Sequence, residues 1–263
     1  MFSKLTTKIA LRKAGIPSSA FAFPDTSSIF GSGSKDSSST ASSTTAASGP
    51  RDPNAPSQFS NFIPNIQMPL ALKSWQNPLP PPVEVAAPPA VGTKAPSCLQ
   101  LSLPLKDGTR RPSIVVFLRH CGCPFAEKTF LNLRTLANKY PNISCVAVSH
   151  CSSKATEKWI SSLGGAWAVQ IIIDEEREVY AHWGLGVSTT YHLLNPWTQM
   201  AARRLGNEEG IWAREVDPSA NRWVIGGAWC TNELGSIQWG GASVTADDLP
   251  KFSEAVSCLG IKQ

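Results

Sequence analysis

The pattern of apolar and polar positions divides the chain near Gly92. Before this point, residues 27–48 are dominated by Ser, Thr, Ala and Gly, and residues 78–89 by Pro. Neither composition can bury enough apolar surface to offset the entropy lost on ordering. We therefore predict a disordered Ser/Pro-rich N-terminal region over residues 1–92 and a folded domain over residues 93–263.

Beyond residue 92, short β-branched apolar runs alternate with stretches whose apolar residues recur at helical spacing. The first pattern is typical of buried parallel strands and the second of amphipathic helices. Near the end of the chain, the pattern predicts an antiparallel hairpin and a closing helix with acidic residues in its first turn. The predicted strands are 97–103, 113–118, 143–149, 169–174, 223–230 and 236–239, and the predicted helices are 125–140, 153–163, 176–183, 197–205 and 247–259.

The order of these elements defines the expected fold. Strands that alternate with helices predict parallel pairing with crossover connections, and the hairpin adds antiparallel strands to the same sheet. We therefore predict an α/β domain with a thioredoxin-like fold, in which a mixed sheet is flanked by helices, together with a disordered N-terminal extension.

Charge and the lengths of the apolar runs exclude two classes of function. The chain carries 24 Lys and Arg against 19 Asp and Glu, of which residues 93–263 hold 17 and 15. A domain so near neutrality lacks the basic stripe that would neutralise many phosphates, so we expect no nucleic-acid binding. The longest apolar run, residues 114–118, is far shorter than the roughly 20 residues of a membrane-spanning helix. We therefore expect no transmembrane segment.

The beginning of the chain is basic. Lys4, Lys8 and Arg12 fall on one face of a helix, and no acidic residue occurs before Asp25. A basic, acid-free, amphipathic start is typical of a mitochondrial transit peptide, and it also suits reversible docking on an anionic membrane. An inert tail is the third interpretation.

The cysteines indicate the compartment. Their number, seven, is odd and their spacing is irregular. The first 21 residues also lack the apolar core of a secretory signal, so a secreted disulfide scaffold is disfavoured. We expect a reducing, intracellular location, mitochondrial or cytoplasmic.

The segment most informative about chemistry is Phe-Leu-Arg-His-Cys-Gly-Cys-Pro at residues 117–124. It places Cys121 and Cys123 between a buried strand and a helix that Pro124 begins. The free N–H groups and the positive dipole end of that helix stabilise a thiolate, and the adjacent Arg119 adds positive charge. Cys123 is therefore predicted to be a reactive nucleophile. The alternative is that both cysteines are small buried side chains without reactivity.

A third cysteine is predicted at the same edge of the sheet. The strand 143–149 delivers Cys151 to its C-terminal end, which in a parallel βαβ unit lies beside the end of the preceding strand. Either Cys151 or Cys121 could therefore resolve a sulfenic acid formed on Cys123. Packing roles are predicted for the remaining cysteines, which lie within strand or helix patterns: Cys98, Cys145, Cys230 and Cys258.

Metal and nucleotide sites are less well supported. The same edge holds five His and Cys side chains, but their spacing does not match the paired ligands of zinc sites. The sequence contains no Walker loop, no Gly-X-Ser-X-Gly elbow and no His-Glu-X-X-His helix, so we expect neither cofactor nor metal. His182 and His192 are predicted to be surface or loop residues.

Four stretches carry a family resemblance. Residues 91–98 resemble the Gly-X-X-Ala-Pro opening of peroxiredoxins, and Val-Val-Phe-Leu-Arg-His at 115–120 resembles their active-site strand. Val-Ile-Gly-Gly-Ala-Trp at 224–229 is similar to their Gly-Gly-X-Phe strand, and Asp-Asp-Leu at 247–249 to their closing helix. Over roughly residues 93–258 the sequence thus resembles the AhpC/TSA-type, peroxiredoxin-like proteins of the thioredoxin superfamily, in their peroxiredoxin-like 2 branch.

The resemblance implies a thiol-dependent antioxidant protein. It places the family's first active-site cysteine on Cys123 and the second on Ala126, so the usual dithiol partner is missing. The Pro and Thr of the peroxiredoxin motif Pro-X-X-X-Thr-X-X-Cys are replaced by Val116 and His120. A peroxidase with one active cysteine, or one resolved by Cys121 or Cys151, is favoured over a disulfide reductase.

The resemblance also implies the partners. The substrate would be a small hydroperoxide, and the reductant a thiol such as thioredoxin, glutaredoxin or glutathione. Arg119, or less favourably Arg222, would supply the positive charge at the site. Two other functions stay open: a redox-inactive binding module that uses an exposed Trp-rich connection at residues 183–212, and a metal- or haem-handling protein.

Overall fold

The structure is a computed structural model that describes residues 79–105, 110–189, 191–192 and 195–261. The predicted basic N-terminal helix and the Ser-rich stretch lie outside these residues. Within them, strands and helices alternate as the sequence predicts. The elements are β1 Ser113–Phe117, α1 Pro124–Lys139, β2 Ser144–Ser149, α2 Ser153–Ser162, β3 Val169–Ile173, α3 Glu178–His182, α4 Pro196–Glu209, β4 Gly227–Thr231, β5 Ile237–Ala242 and α5 Phe252–Cys258.

The strands form one mixed sheet in the order β3-β2-β1-β4-β5. β1 and β2, and β2 and β3, pair in parallel, whereas β4 pairs antiparallel with β1 and with β5. Phe117 lies opposite Val148 at the ends of β1 and β2. The segments that follow these two strands therefore leave the sheet at the same edge, as the sequence analysis predicted for the cysteines.

β1 is buried along its whole length because both faces of the sheet are covered. Ile114 and Val116 pack in a cluster with the apolar residues of α1. Val115 and Phe117 point to the other face. There, the Phe117 ring lies 5.1 Å from the Tyr180 ring and 5.6 Å from the Trp229 ring, both edge to face. An all-apolar central strand is what a doubly covered sheet requires.

Tyr180 fixes the sheet edge that carries the cysteines. Its hydroxyl lies 2.6 Å from the Leu118 carbonyl oxygen and 2.9 Å from that of Val148. One buried hydroxyl thereby satisfies the ends of β1 and β2 together, and a satisfied buried group of this kind holds both segments in place.

The prediction of a strand at residues 97–103 is wrong. This segment turns back on itself, because the N–H of Cys98 donates to the carbonyl of Leu101 at 2.9 Å instead of to a neighbouring strand. Leu101 and Leu103 are nevertheless buried, and Leu99 is exposed. The alternation of apolar and polar residues therefore predicts correctly which side chains are buried, although the segment is not a β-strand.

Two other predicted bounds need correction. The hairpin begins at Gly227 rather than at residue 223. The closing helix begins at Phe252, so its first-turn acid is Glu254. The acids predicted for the first turn of this helix, Asp247 and Asp248, precede it instead, and Asp248 accepts the N–H of Val244 at 3.0 Å.

The Pro-rich segment before residue 92 contacts α3. The N–H of Ala86 donates to the Ala181 carbonyl at 3.0 Å, and a guanidinium nitrogen of Arg177 donates to the Pro81 carbonyl at 2.5 Å. The domain boundary at residue 92 stays a prediction. In the described part of the chain, no helix is long and apolar enough to cross a membrane.

Candidate active site

The loop between β1 and α1 depends on one glycine. Gly122 has a φ of 95°, a conformation that side chains disfavour. Its carbonyl accepts the N–H of Arg214 at 3.0 Å, and a Cβ at this position would lie 2.9 Å from the carbonyl oxygen of Glu215. Glycine is therefore required where the β1–α1 loop packs against the backbone of residues 214–215. Its conformation also sets the directions of Cys121 and Cys123 on either side.

Cys123 is the N-cap residue of α1. Its carbonyl accepts the N–H of Glu127 at 3.0 Å, which is the first bond of the helix. Its sulfur takes no capping bond from the helix. The hydrogen-bond donor to that sulfur is instead Arg119, whose Nη1 lies 3.3 Å away. The positive charge expected at this sulfur is thus provided by a side chain in direct contact.

Arg119 is held in place from the opposite side. It is buried, and its Nη2 donates to the carbonyl of Arg222 at 2.8 Å. Burial, and then repulsion from Arg119, lower the pKa of Arg222 to about 10, and the charge of Cys123 acts in the opposite direction. Both arginines named by the resemblance are therefore electrostatically coupled near Cys123, with Arg119 in contact.

A cavity of about 270 Å³ reaches this thiol. Cys123, Arg119 and Arg222 line it together with apolar atoms of Phe125 and Val216. Since one water molecule occupies about 30 Å³ in the liquid, the space accommodates a small hydroperoxide. Cys123 itself is only 3 % exposed, so the cavity is its route to solutes.

A second loop, between α4 and β4, carries Arg214 and Val216 and lines the cavity. This covering loop is fixed by an ion pair. Nε and Nη2 of Arg214 donate to the two carboxylate oxygens of Glu127 at 2.7 and 2.8 Å. The Glu127 side chain is buried, whereas that of Arg214 is 44 % exposed. Such a two-pronged bond is directional, and it ties the loop to the first turn of α1. A second ion pair, Lys128 with Glu209, ties the same helix to the end of α4.

Cys121 contacts Cys151, not Cys123. The backbone N–H of Cys121 donates to the Cys151 sulfur at 3.3 Å. The Cys121 sulfur lies 3.8 Å from the hydroxyls of both Ser149 and Thr156. A hydrogen bond from the Cys151 thiol lowers the pKa of Cys121, and the same bond raises the pKa of Cys151. Two separate sulfur environments therefore flank Gly122.

The two histidines beside these cysteines are buried and neutral. Burial lowers the pKa of His120 well below its ordinary value, and that of His150 to about 3. Nδ1 of His120 lies 3.1 Å from the Cys121 carbonyl, and Nε2 of His150 accepts the N–H of Asn221 at 3.1 Å. Neither histidine supplies positive charge to the site, which leaves that role to the arginines.

Several predicted placements outside the site need correction. His192 is buried and not on the surface, while His182 is exposed as predicted. Packing is confirmed for Cys145 and Cys230, whose pKa burial raises to about 12 in each case. It is wrong for Cys258, which is exposed, and Cys98 is half-buried.

The predicted Trp-rich surface is only partly present. Trp183 is fully buried in the core beside Trp229. Trp197, Met200 and Trp212 are exposed. The binding-module interpretation therefore keeps a smaller surface than the sequence suggested.

The described residues contain no cluster of side chains that would support the metal-binding interpretation. Among residues 79–105, 110–189, 191–192 and 195–261, no three His, Cys, Asp or Glu side chains are grouped so as to hold a metal ion. The side chains considered for this role include His120 and His150, which bond to backbone groups instead.

Sequence analysis missed the residues that support the site from a distance. Glu127 and Arg214 lie 87 positions apart, and no local pattern marks such a pair. Ser149 and Thr156 carried a weak signal, since Ser149 is a polar residue at the end of an apolar strand and Thr156 lies one turn into α2.

Comparison with known proteins finds similarity to antioxidant enzymes over part of the chain. Residues 132–242 match the family model of the AhpC/TSA antioxidant enzymes. No curated protein sequence matches the chain. A thiol peroxidase from Chromobacterium violaceum is a structural neighbour at 13 % identity, a TM-score of 0.44 and coverage of 69 % of this chain and 91 % of that one. A peroxiredoxin-like protein from Aquifex aeolicus is 11 % identical, with a TM-score of 0.46 and coverage of 67 % of this chain and 89 % of that one. The peroxidoxin BcpB from Mycobacterium tuberculosis is 15 % identical, with a TM-score of 0.38 and coverage of 58 % of this chain and 80 % of that one.

The sheet order β3-β2-β1-β4-β5, with parallel pairing of β1 and β2 and an antiparallel β4–β5 hairpin, is the mixed sheet predicted for a thioredoxin-like fold. Over residues 132–242, the match to the AhpC/TSA antioxidant-enzyme model agrees with the resemblance drawn from the sequence. The family model matches less than half of the chain and begins at residue 132, after Cys121 and Cys123. The roles of these cysteines consequently depend on the geometry of the site.

Proposed function

We propose that the chain reduces small hydroperoxides with the Cys123 sulfur as nucleophile and an external thiol as electron donor. The observation that carries this proposal is the contact between Arg119 and the Cys123 sulfur at the wall of a cavity. The thiolate is the reactive form of a cysteine, and the guanidinium holds a positive charge in contact with this sulfur. The AhpC/TSA match over residues 132–242 supports an antioxidant role.

The reaction follows from this arrangement. The Cys123 thiolate attacks the terminal oxygen of the hydroperoxide, forms an S–O bond, breaks the O–O bond and expels the other oxygen as an alkoxide, or as hydroxide when the substrate is hydrogen peroxide. The alkoxide takes up a proton, so a hydroperoxide and one proton yield an alcohol and a cysteine sulfenic acid. The guanidinium of Arg119, and that of Arg222 on the cavity wall, stabilise the negative charge that moves onto oxygen.

An external thiol best explains the return to the starting state. Cys121 and Cys151 contact each other on the far side of Gly122, so neither is held against Cys123. A thiol condenses with the sulfenic acid and releases water, and a second thiol then displaces Cys123 from the mixed disulfide. Thioredoxin, glutaredoxin and glutathione are the candidate donors.

An intracellular location, mitochondrial or cytoplasmic, is part of the proposal. It is supported by the seven free thiols, since a reducing compartment preserves them.

The function is tested by following hydrogen peroxide consumption in the presence of glutathione or a thioredoxin system. Cys123→Ser should abolish the consumption, because the nucleophile is lost. Cys145→Ala is the matched control, since Cys145 is buried in β2 and away from the cavity. Equal loss in both variants, or full activity in Cys123→Ser, would overturn the proposal.

A further inference from the structure

Cys121 and Cys151 lie together at the carboxyl ends of two neighbouring parallel strands. The backbone N–H of Cys121 donates to the Cys151 sulfur at 3.3 Å, and the Cys151 thiol also hydrogen-bonds to the Cys121 sulfur. The two thiols are therefore already neighbours in the reduced protein, as a disulfide between them requires.

One pair of buried hydroxyls holds both cysteines. Ser149 and Thr156 hydrogen-bond to each other at 2.9 Å, and each lies 3.8 Å from the Cys121 sulfur. Ser149 also accepts the N–H of Cys151 at 3.3 Å, and Thr156 donates to the Cys151 carbonyl at 3.3 Å. Because both cysteines hydrogen-bond to this pair of hydroxyls, they belong to a buried polar network and do not serve only as apolar packing residues.

The two cysteines differ in their access to solutes. Cys121 lines a cavity of about 210 Å³, together with Lys158, Trp159 and Pro218. Cys151 is fully buried behind it. An incoming molecule therefore meets Cys121 first. The lowered pKa of Cys121 and the raised pKa of Cys151 match this order of an attacking and a resolving thiol.

This cavity is separate from that of Cys123. Cys123 lines the cavity on the other side of the covering loop, and Arg214 and Val216 of that loop form part of both walls. The two sulfurs of the Cys-Gly-Cys segment thus face different spaces.

We propose that Cys121 and Cys151 form a second redox centre, a buried dithiol that exchanges with low-molecular-weight disulfides and closes to an intramolecular disulfide. The pair would join two strand ends.

The exchange takes place in two steps. The Cys121 thiolate attacks one sulfur of the small disulfide, which breaks the S–S bond and expels one thiolate. Cys151 then transfers its proton to that thiolate and attacks Cys121 in the mixed disulfide, expelling the second thiolate, which takes the proton released by Cys121. One small disulfide is reduced to two thiols, and the two cysteines are oxidised to one disulfide.

The test uses the Cys123→Ser protein, so that peroxidase chemistry is absent and both cysteines of the pair are unchanged. The folded protein is incubated with bis(2-hydroxyethyl) disulfide, alkylated and digested with trypsin. Mass spectrometry is expected to show peptide 120–128 linked to peptide 140–154. Because Cys145 lies in the second peptide together with Cys151, the link is assigned by repeating the test with Cys145→Ala added, which should leave the link in place.

Two further variants separate the roles. With Cys151→Ala, Cys121 should accumulate as a mixed disulfide with the hydroxyethyl thiol. With Cys121→Ala, Cys151 should remain a free thiol. The proposal is overturned if the Cys123→Ser protein keeps both cysteines free, or if the link disappears with Cys145→Ala. None of these results depends on whether Cys123 reduces peroxides.

Discussion

The guanidinium of Arg119 lies 3.3 Å from the sulfur of Cys123, and residues 120–122 separate the two in sequence. The contact is possible because Cys123 begins α1 without receiving a capping bond on its sulfur, and because Arg119 is anchored at its other end by the Arg222 carbonyl. The donor to the sulfur is thus fixed before any substrate enters the cavity.

Arg119→Gln should slow the oxidation of Cys123. Hydrogen bonds to charged groups contribute about 1.5–3 kcal/mol, which corresponds to a rate lower by about 10- to 160-fold. The measurement is the second-order rate constant for oxidation of Cys123 by hydrogen peroxide, under single-turnover conditions. Arg204→Gln is the control, because Arg204 is exposed on α4. A rate within twofold of the unmodified protein would show that Arg119 does not activate the thiol.

Arg214→Ala should loosen the loop that covers both cavities. The change leaves the buried Glu127 carboxylate without its partner, at a cost of about 1–3 kcal/mol, less than for a fully buried pair because Arg214 is partly exposed. Urea unfolding should report the loss, and Cys121 and Cys123 should be alkylated faster in the native protein. Lys251→Ala, which removes an exposed pair with Glu254, should have a much smaller effect. Unchanged alkylation rates would exclude a covering role for the loop.

Gly122→Ala should destabilise the domain more than Gly210→Ala. Both glycines have positive φ values, 95° and 71°, and a side chain in the left-handed conformation costs about 1–2 kcal/mol. At Gly210 a Cβ meets nothing within 4 Å, whereas at Gly122 it meets the Glu215 carbonyl at 2.9 Å. The difference between the two free energies of unfolding measures the close approach of the loop. Equal values would mean that the loop adapts without cost.

Acid should weaken the fold through the buried histidines. The pKa of His150 is about 3 in the folded protein, against about 6.5 when unfolded. Between these values the unfolded state binds more protons, so stability rises with pH, by up to about 1.4 kcal/mol per pH unit for one histidine. His120 acts in the same direction.

Urea unfolding at pH 7 and pH 5 checks this sign. His150→Gln should reduce the difference between the two pH values, whereas His182→Gln, on an exposed residue, should leave it unchanged. A protein more stable at pH 5 than at pH 7 would contradict the burial of His120 and His150 as neutral groups.

The sheet and the first helix could be predicted because local signals agree with the tertiary structure. The β-branched run in β1 and the proline at the start of α1 mark their positions without ambiguity. Residues 97–103 show the opposite case. Their alternation reflects burial of Leu101 and Leu103, but a strand also needs a free neighbouring edge, which a local sequence pattern does not reveal.

The pairing of the cysteines could be predicted only in part. Parallel strands bring Cys121, Cys123 and Cys151 to one edge, as expected. Which cysteine contacts Cys151 depends on the positive φ of Gly122, because that conformation sends the residues on either side in different directions. The loop carrying Arg214 contributes to this conformation from far along the chain, so sequence proximity alone could not decide it.

The most direct test of the central claim is site-resolved trapping of sulfenic acid. The protein is treated with one equivalent of hydrogen peroxide in the presence of dimedone, and each cysteine is analysed by mass spectrometry. The account predicts that the dimedone adduct forms on Cys123 and that its yield falls in Arg119→Gln. An adduct distributed evenly over the seven cysteines, or absent from Cys123, would contradict the claim that this thiol is the peroxide-reducing nucleophile.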